Sequence, residues 1–150
     1  MNDSRFRIEF SLRIDWSELD SYGHVNNVSF FKYIQSARVN YLELIGMKPL
    51  NRGIDIAPIL ASCKCDFKMP LYYPGQIVIR SRVDSIKNTS FCLIHEIMND
   101  QGQLSAEAQD IIVLFDFSKK KKAPIPMGVT QQIEKIEGRV FKSDYQHDKA

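Results

Sequence analysis

The run from Val28 to Met47 constrains the fold more than any other segment. Phe30, Tyr33, Ile34, Ala37, Tyr41, Leu44 and Ile45 recur at spacings of three and four, the period of a helix with a buried stripe. Phe31, Val39 and Leu42 add apolar surface outside that stripe, so the helix needs contacts on more than one side. A sheet wrapped around it supplies them. Gly46 marks the end of the helix and Pro49 prevents its continuation.

The rest of the chain reads mostly as strand. From Arg5 to Asp15, Phe6, Ile8, Phe10, Leu12 and Ile14 fall on one face and Arg7, Glu9, Ser11 and Arg13 on the other. After a loop around Asn51 to Asp55 come four further runs, Ile56 to Phe67, Gln76 to Ile86, Thr89 to Met98 and Leu104 to Phe117. Tyr73-Pro74-Gly75, Lys87-Asn88 and Asn99-Asp100-Gln101-Gly102 carry the turn chemistry that separates these four runs, which predicts that the last three form an antiparallel meander. Ile77, Ile79, Ser81 and Val83 belong to a covered face, and Gln76, Arg80 and Arg82 to a wetter one. Phe91 to Met98 is apolar on both faces except at His95 and Glu96, so it is central or lies at a subunit contact that those two residues would join. A short helix is expected over Thr130 to Glu137, stopped by Gly138 and followed by a loose polar tail. One strand, one long helix and then at least four strands, without repeat or linker, make an α+β pattern with helix and sheet segregated.

A chain of 150 residues fits one domain with one core. A formal charge of +2 is too small to argue for nucleic acid, and the one dense basic run is Lys119 to Lys122. No apolar segment reaches the roughly 18 residues of a membrane span, and Met-Asn-Asp-Ser-Arg lacks the apolar core of a signal peptide, so a cytoplasmic location is the expectation. Cys63, Cys65 and Cys92 cannot all pair within one chain and lack zinc-site spacing, and they read as small buried residues.

The chemistry concentrates in Asp20-Ser21-Tyr22-Gly23-His24-Val25-Asn26-Asn27, directly before the helix. A helix N-terminus carries free N–H groups and partial positive charge, which can hold a carbonyl oxygen as negative charge develops on it. A carboxylate beside it can deprotonate water or attack directly. From spacing alone, Asp20 reads first as a turn residue that binds local N–H groups. His24 can move a proton or merely fix the loop, and Asn26 and Asn27 can cap the helix or touch a ligand. Asp15 and Glu18 are alternative carboxylates.

Asp20-x-x-Gly23-His24-Val25-Asn26-Asn27, with the following aromatic helix through Ala37-Arg38 and the order of elements, resembles the hotdog-fold acyl-CoA thioesterases. Within them it is most similar to the 4-hydroxybenzoyl-CoA thioesterase-like branch. The resemblance covers roughly Phe6 to Pro126 of a single 1–150 domain with a core of about 6–126. It implies a long central helix wrapped by a five- to six-stranded antiparallel sheet, and hydrolysis of an acyl-CoA thioester to free acid and CoA. Asp20 matches the catalytic base or nucleophile, Gly23 the glycine of the tight turn, and Asn27 the residue whose backbone N–H faces the thioester oxygen. His24 belongs to the same loop, and Asn26, Val28, Phe30 and Phe31 are candidate substrate contacts. Lys119, Lys120 and Lys121 match basic residues near the nucleotide of CoA. No metal or cofactor is implied beyond coenzyme A as part of the substrate, and a homodimer or homotetramer is. Phe30 stands where many relatives have tyrosine. Two other readings are an acyl-thioester-binding module without turnover and a hydroxyacyl-thioester dehydratase of the same fold, for which no separate His and acid pair stands out.

Overall fold

The computed structural model describes residues 5–47 and 55–141. Within them, β1 (Ile8–Arg13), β2 (Ile56–Phe67), β3 (Gln76–Ile86), β4 (Ser90–Met98) and β5 (Leu104–Asp116) form an antiparallel sheet in the order β1-β3-β4-β5-β2. A two-residue β6 (Lys121–Lys122) pairs with β5. The long helix α1 (Asn27–Leu44) lies on one face of the sheet, and α2 (Met127–Glu137) packs against β3. This is the hotdog arrangement, and β3, β4 and β5 form the meander that the turn residues predict. β4 is central, which explains why its sequence is apolar on both faces.

Several boundaries shift. α1 ends at Leu44 and not Met47, with Gly46 in the left-handed region at φ +84°. Leu44 is exposed although its spacing put it in the stripe, while Leu42 is buried. α2 begins at Met127, earlier than Thr130, because Pro126 sits at the N-cap, where a missing N–H costs nothing. Phe6 leaves the alternation of β1: its ring lies about 5 Å from the guanidinium groups of Arg80 and Arg82, on the sheet face away from α1. The loop expected from Asn51, the stop at Pro49 and the tail beyond Phe141 lie outside the described residues.

The space between α1 and the sheet holds two apolar clusters. One gathers Val25, Phe30, Ile34, Ala37, Ile77, Ile79, Ile97 and Ala106 near the start of α1. The other gathers Tyr41, Leu42, Val83, Leu93, Ile112 and Ile133 near its end. A polar layer separates them. Ser81 and His95 are directly opposed on β3 and β4, and Asp110 lies one diagonal step away on β5. Asp110, a carboxylate, accepts the Nε2–H of His95 at 2.9 Å, so Nδ1 receives the Ser81 hydroxyl proton at 2.7 Å. Arg38, from α1, completes the layer with two hydrogen bonds to Asp110.

His95 therefore does not reach a partner subunit: it is fully buried, and Glu96 faces the other way and pairs with Arg80 at 3.0 Å. Strand alternation, read without knowing which face α1 covers, could not tell these two apart.

Candidate active site

The loop between β1 and α1 is built almost entirely from its own hydrogen bonds. Asp15 caps the single 3₁₀ turn Trp16–Glu18, and the Glu18 carboxylate returns to the Asp15 N–H at 2.7 Å. Hydrogen bonds from Ser17 hold the Asp15 carboxyl below its usual value. Glu18 also accepts the Tyr33 hydroxyl at 2.8 Å, and burial together with that bond pushes the Tyr33 phenol up. Asp15 and Glu18 thus brace the loop against α1, and neither lines the cleft described below.

Asp20 opens the next turn. Its N–H donates to the His24 carbonyl at 2.8 Å, and its Oδ1 accepts the N–H groups of Tyr22 at 2.8 Å and His24 at 3.2 Å. This is the local turn chemistry that Asp offers. Gly23 completes the turn at φ +83°, a conformation unfavourable for any residue with a Cβ. A short bridge between Leu19 and Val25 closes the loop on itself, one between His24 and Tyr72 fastens it to the segment before β3, and the His24 ring meets Tyr72 edge-on at 5.1 Å.

Asn26 is the N-cap of α1. Its Oδ1 accepts the Val28 N–H at 3.0 Å and its carbonyl accepts that of Ser29 at 2.9 Å. No acceptor among the described residues takes the N–H of Asn27, the first residue of the helix. That group and the helix dipole are available to an oxygen from outside.

Asp20, His24 and Asn27 line one open cleft of about 350 Å³ with Val25, Phe30, Phe67, Lys68, Met69 and Pro70. Phe30 is buried and meets the Phe67 ring edge-on at 5.1 Å. One side of the cleft is thus polar and the other aromatic. Four of the residues singled out in the sequence, Asp20, His24, Asn27 and Phe30, come together here. Gly23 and Asn26 shape the loop and cap from outside the lining, Val28 is exposed on the first turn, and Phe31 touches the rim through Phe67 at 6.4 Å. Lys119, Lys120 and Lys121 lie beyond the Asp116 end of β5, whereas the cleft sits at its Leu104 end; twelve residues of strand, roughly 40 Å, separate them. Within one chain the structure does not bring the lysine run to the cleft. It brings Lys68, whose N–H donates to Ser105 at the start of β5.

Ser81, His95 and Asp110 present a hydroxyl, imidazole and carboxylate in hydrogen-bonded sequence, but at most 1% of any of them is exposed. Without access to substrate they form a structural cluster.

The chain belongs to the thioesterase-like superfamily, whose model matches residues 14–133. It is 26% identical over 90 residues to the uncharacterised protein YsmA of Bacillus subtilis, spanning 60% of either chain. It is 21% identical to the long-chain acyl-CoA thioesterase FadM of Escherichia coli, over 86% of this chain and 98% of that one. Among solved structures, a thioesterase from Thermus thermophilus complexed with coenzyme A and Zn is 24% identical and superposes with a TM-score of 0.78, covering 91% of this chain and 98% of the other.

Proposed function

We propose that the protein hydrolyses acyl-CoA thioesters to a free acid and CoA, with the cleft at the start of α1 as its active site. The observation that carries the reading is the meeting, in one cleft, of the Asp20 carboxylate, the Asn27 N–H, which no described residue accepts, and the Phe30 and Phe67 rings. The superfamily and the name of FadM support the substrate class. Asp20 holds the loop through Oδ1, which leaves its other oxygen for a water molecule. Asp20 takes a proton as that water adds to the carbonyl carbon, and the Asn27 N–H holds the charge on the carbonyl oxygen. Collapse breaks the carbon–sulfur bond, and the departing thiolate takes the proton back. Direct attack by Asp20, giving an anhydride that water then opens, uses the same groups. The reaction needs water and the thioester alone, with coenzyme A entering as part of the substrate.

The decisive experiment measures thiol release from a panel of acyl-CoAs by wild type and Asp20→Asn. Wild-type turnover with a loss of at least about a hundredfold in the variant supports the reading, as expected for removal of a general base. Equal rates remove Asp20 from the mechanism. The engagement of Asp20 Oδ1 by two loop N–H groups favours one rival, a binding module without turnover. That protein would be stabilised by acyl-CoA and release no thiol.

The unit proposed for this activity is the single domain, assembled as a homodimer through β2. This edge strand is 12 residues long and carries exposed Ile59, Leu60 and Phe67, a combination that calls for cover. Three free cysteines agree with a reducing, cytoplasmic setting. Among the described residues no helix is long and apolar enough to cross a membrane.

A further inference from the structure

Two segments cross the end of the sheet at which the cleft opens. Residues 15–26 join β1 to α1, and residues 68–75 carry the chain from β2 at one edge to β3 near the other. The backbone laces them together: the Val25 N–H donates to the Leu71 carbonyl and the Ile14 N–H to the Gly75 carbonyl, both at 2.9 Å, and His24 forms a bridge with Tyr72. They make one ledge beside the cleft, which takes Asp20, His24 and Val25 from the first segment and Lys68, Met69 and Pro70 from the second.

The same ledge holds four aromatic residues out in solvent. Trp16 is 70% exposed, Tyr22 84%, Tyr72 57% and Tyr73 43%. Large aromatics normally fill cores, and a group of them left at these exposures calls for a partner. The backbone fixes where they project: Trp16 opens the 3₁₀ turn capped by Asp15, the Asp20 carboxylate holds the Tyr22 N–H at 2.8 Å, and Tyr72 is anchored by its contact with His24. The Trp16 indole N–H and the three hydroxyls make no hydrogen bond among the described residues. Each ring therefore offers an apolar body to a partner and a polar tip to water.

We infer that this ledge docks the protein on a lipid bilayer with zwitterionic headgroups, its cleft end toward the lipid. Indole and phenol rings settle where acyl chains meet headgroups, because that layer accepts the ring and hydrogen-bonds the tip. Charge narrows the choice of partner: the three carboxylates of Asp15, Glu18 and Asp20 against the one ammonium of Lys68 leave the ledge at −2, which repels anionic lipid, nucleic acid and acidic proteins. Pairing of two copies through β2 does not cover it. That edge is three strand spacings, roughly 14 Å, from β3, into which Tyr72 and Tyr73 lead. The protein then lies on a membrane and does not span it. The use of such docking rests on the thioesterase reading above: acyl chains partition into bilayers, so the cleft is set beside its substrate.

Trp16 is the only tryptophan of the chain and reports on its own surroundings. Titration of the full chain with phosphatidylcholine vesicles should shift its emission to the blue, and phosphatidylcholine brominated on the acyl chains should quench it. In co-sedimentation the double variant Trp16→Ser, Tyr22→Ser should partition at least about tenfold more weakly than wild type, since affinity follows the apolar area buried. Both side chains are mostly exposed, so their replacement leaves the fold intact, and the quenching is read on wild type alone. Added phosphatidylglycerol should bring no gain. Absence of blue shift and quenching, equal partition of variant and wild type, or binding seen only with phosphatidylglycerol overturns the proposal. So does a blue shift that grows with protein concentration without vesicles, which assigns the ledge to self-association. Vesicle binding without thiol release leaves the docking standing and removes the thioesterase reading alone.

Discussion

Arg38 holds Asp110 with two hydrogen bonds, Nε to Oδ2 at 2.8 Å and Nη2 to Oδ1 at 3.2 Å, in the middle of a core that is apolar on either side. Asp110 is wholly buried and the Arg38 side chain is 12% exposed, so neither charge is tolerable there without the other.

Breaking this pair from one side should therefore cost more than removing it. Arg38→Met strands the Asp110 carboxylate, with an expected loss of about 3–5 kcal/mol. The double variant Arg38→Met, Asp110→Leu should recover much of that loss. Urea unfolding of both variants decides the matter, and a double variant no more stable than the single one would show that the charges are not coupled in this way.

The same pair sets a pH dependence. Burial alone would push the Asp110 carboxyl up, but the hydrogen bonds from His95 and Arg38 and the charge of Arg38 outweigh it and hold the group below its ordinary 3.8. A depressed folded-state value means that the unfolded chain takes up the proton first. The contribution to stability is complete above about pH 4 and is lost as pH falls from there through the lower folded value. Asp110→Asn, though less stable at neutral pH, should show a shallower decline between pH 4 and 2 in acid-unfolding profiles.

Cys63 and Cys65, on the face of β2 turned toward α1, have thiols raised from 9.0 to about 11, by burial first and then by neighbouring Asp110 and Asp66 respectively. At pH 8 their thiolate fraction is about a hundredfold below that of an ordinary thiol. Labelling by a thiol reagent should be slower in the native protein than in urea by at least that factor, and should keep rising with pH to about 11. Rapid native labelling at pH 8 would contradict the burial of these groups.

Phe67 offers its ring to both Phe30 and Phe31, at 5.1 and 6.4 Å, and is itself half exposed. Phe67→Ala should widen the apolar side of the cleft with little loss of stability. If the cleft is the thioesterase site, the ratio of kcat/KM for bulky over short acyl-CoAs should rise about tenfold. An unchanged ratio would take Phe67 out of the acyl contacts.

What was legible in the sequence was mostly local. The stripe on α1 demanded cover, the turn residues spelled out the meander, and Asp20, His24, Asn27 and Phe30 are close enough in the chain that one loop and one helix turn unite them. Lys68, Met69 and Pro70 were not legible, because they reach the cleft only through the pairing of β2 with β5, which no residue near Asp20 encodes. The lysine run shows the opposite limit: charge density is visible in a sequence, but its distance from the site is not. His95 broke the apolar pattern of β4 and read as a surface contact, since its partners Ser81, Asp110 and Arg38 come from three other elements.

The layer those four residues form is a bulkhead. On one side Phe30, Ile34, Ala106 and Ala108 back the cleft, and on the other Tyr41, Leu93 and Ile133 seat α2. Apolar packing transmits a change of volume to its neighbours, but a hydrogen-bonded row of fixed geometry resists being displaced. Substitutions that retune the pocket side can therefore accumulate without unseating the far end, leaving acyl preference free to drift in evolution while the frame around it stays put.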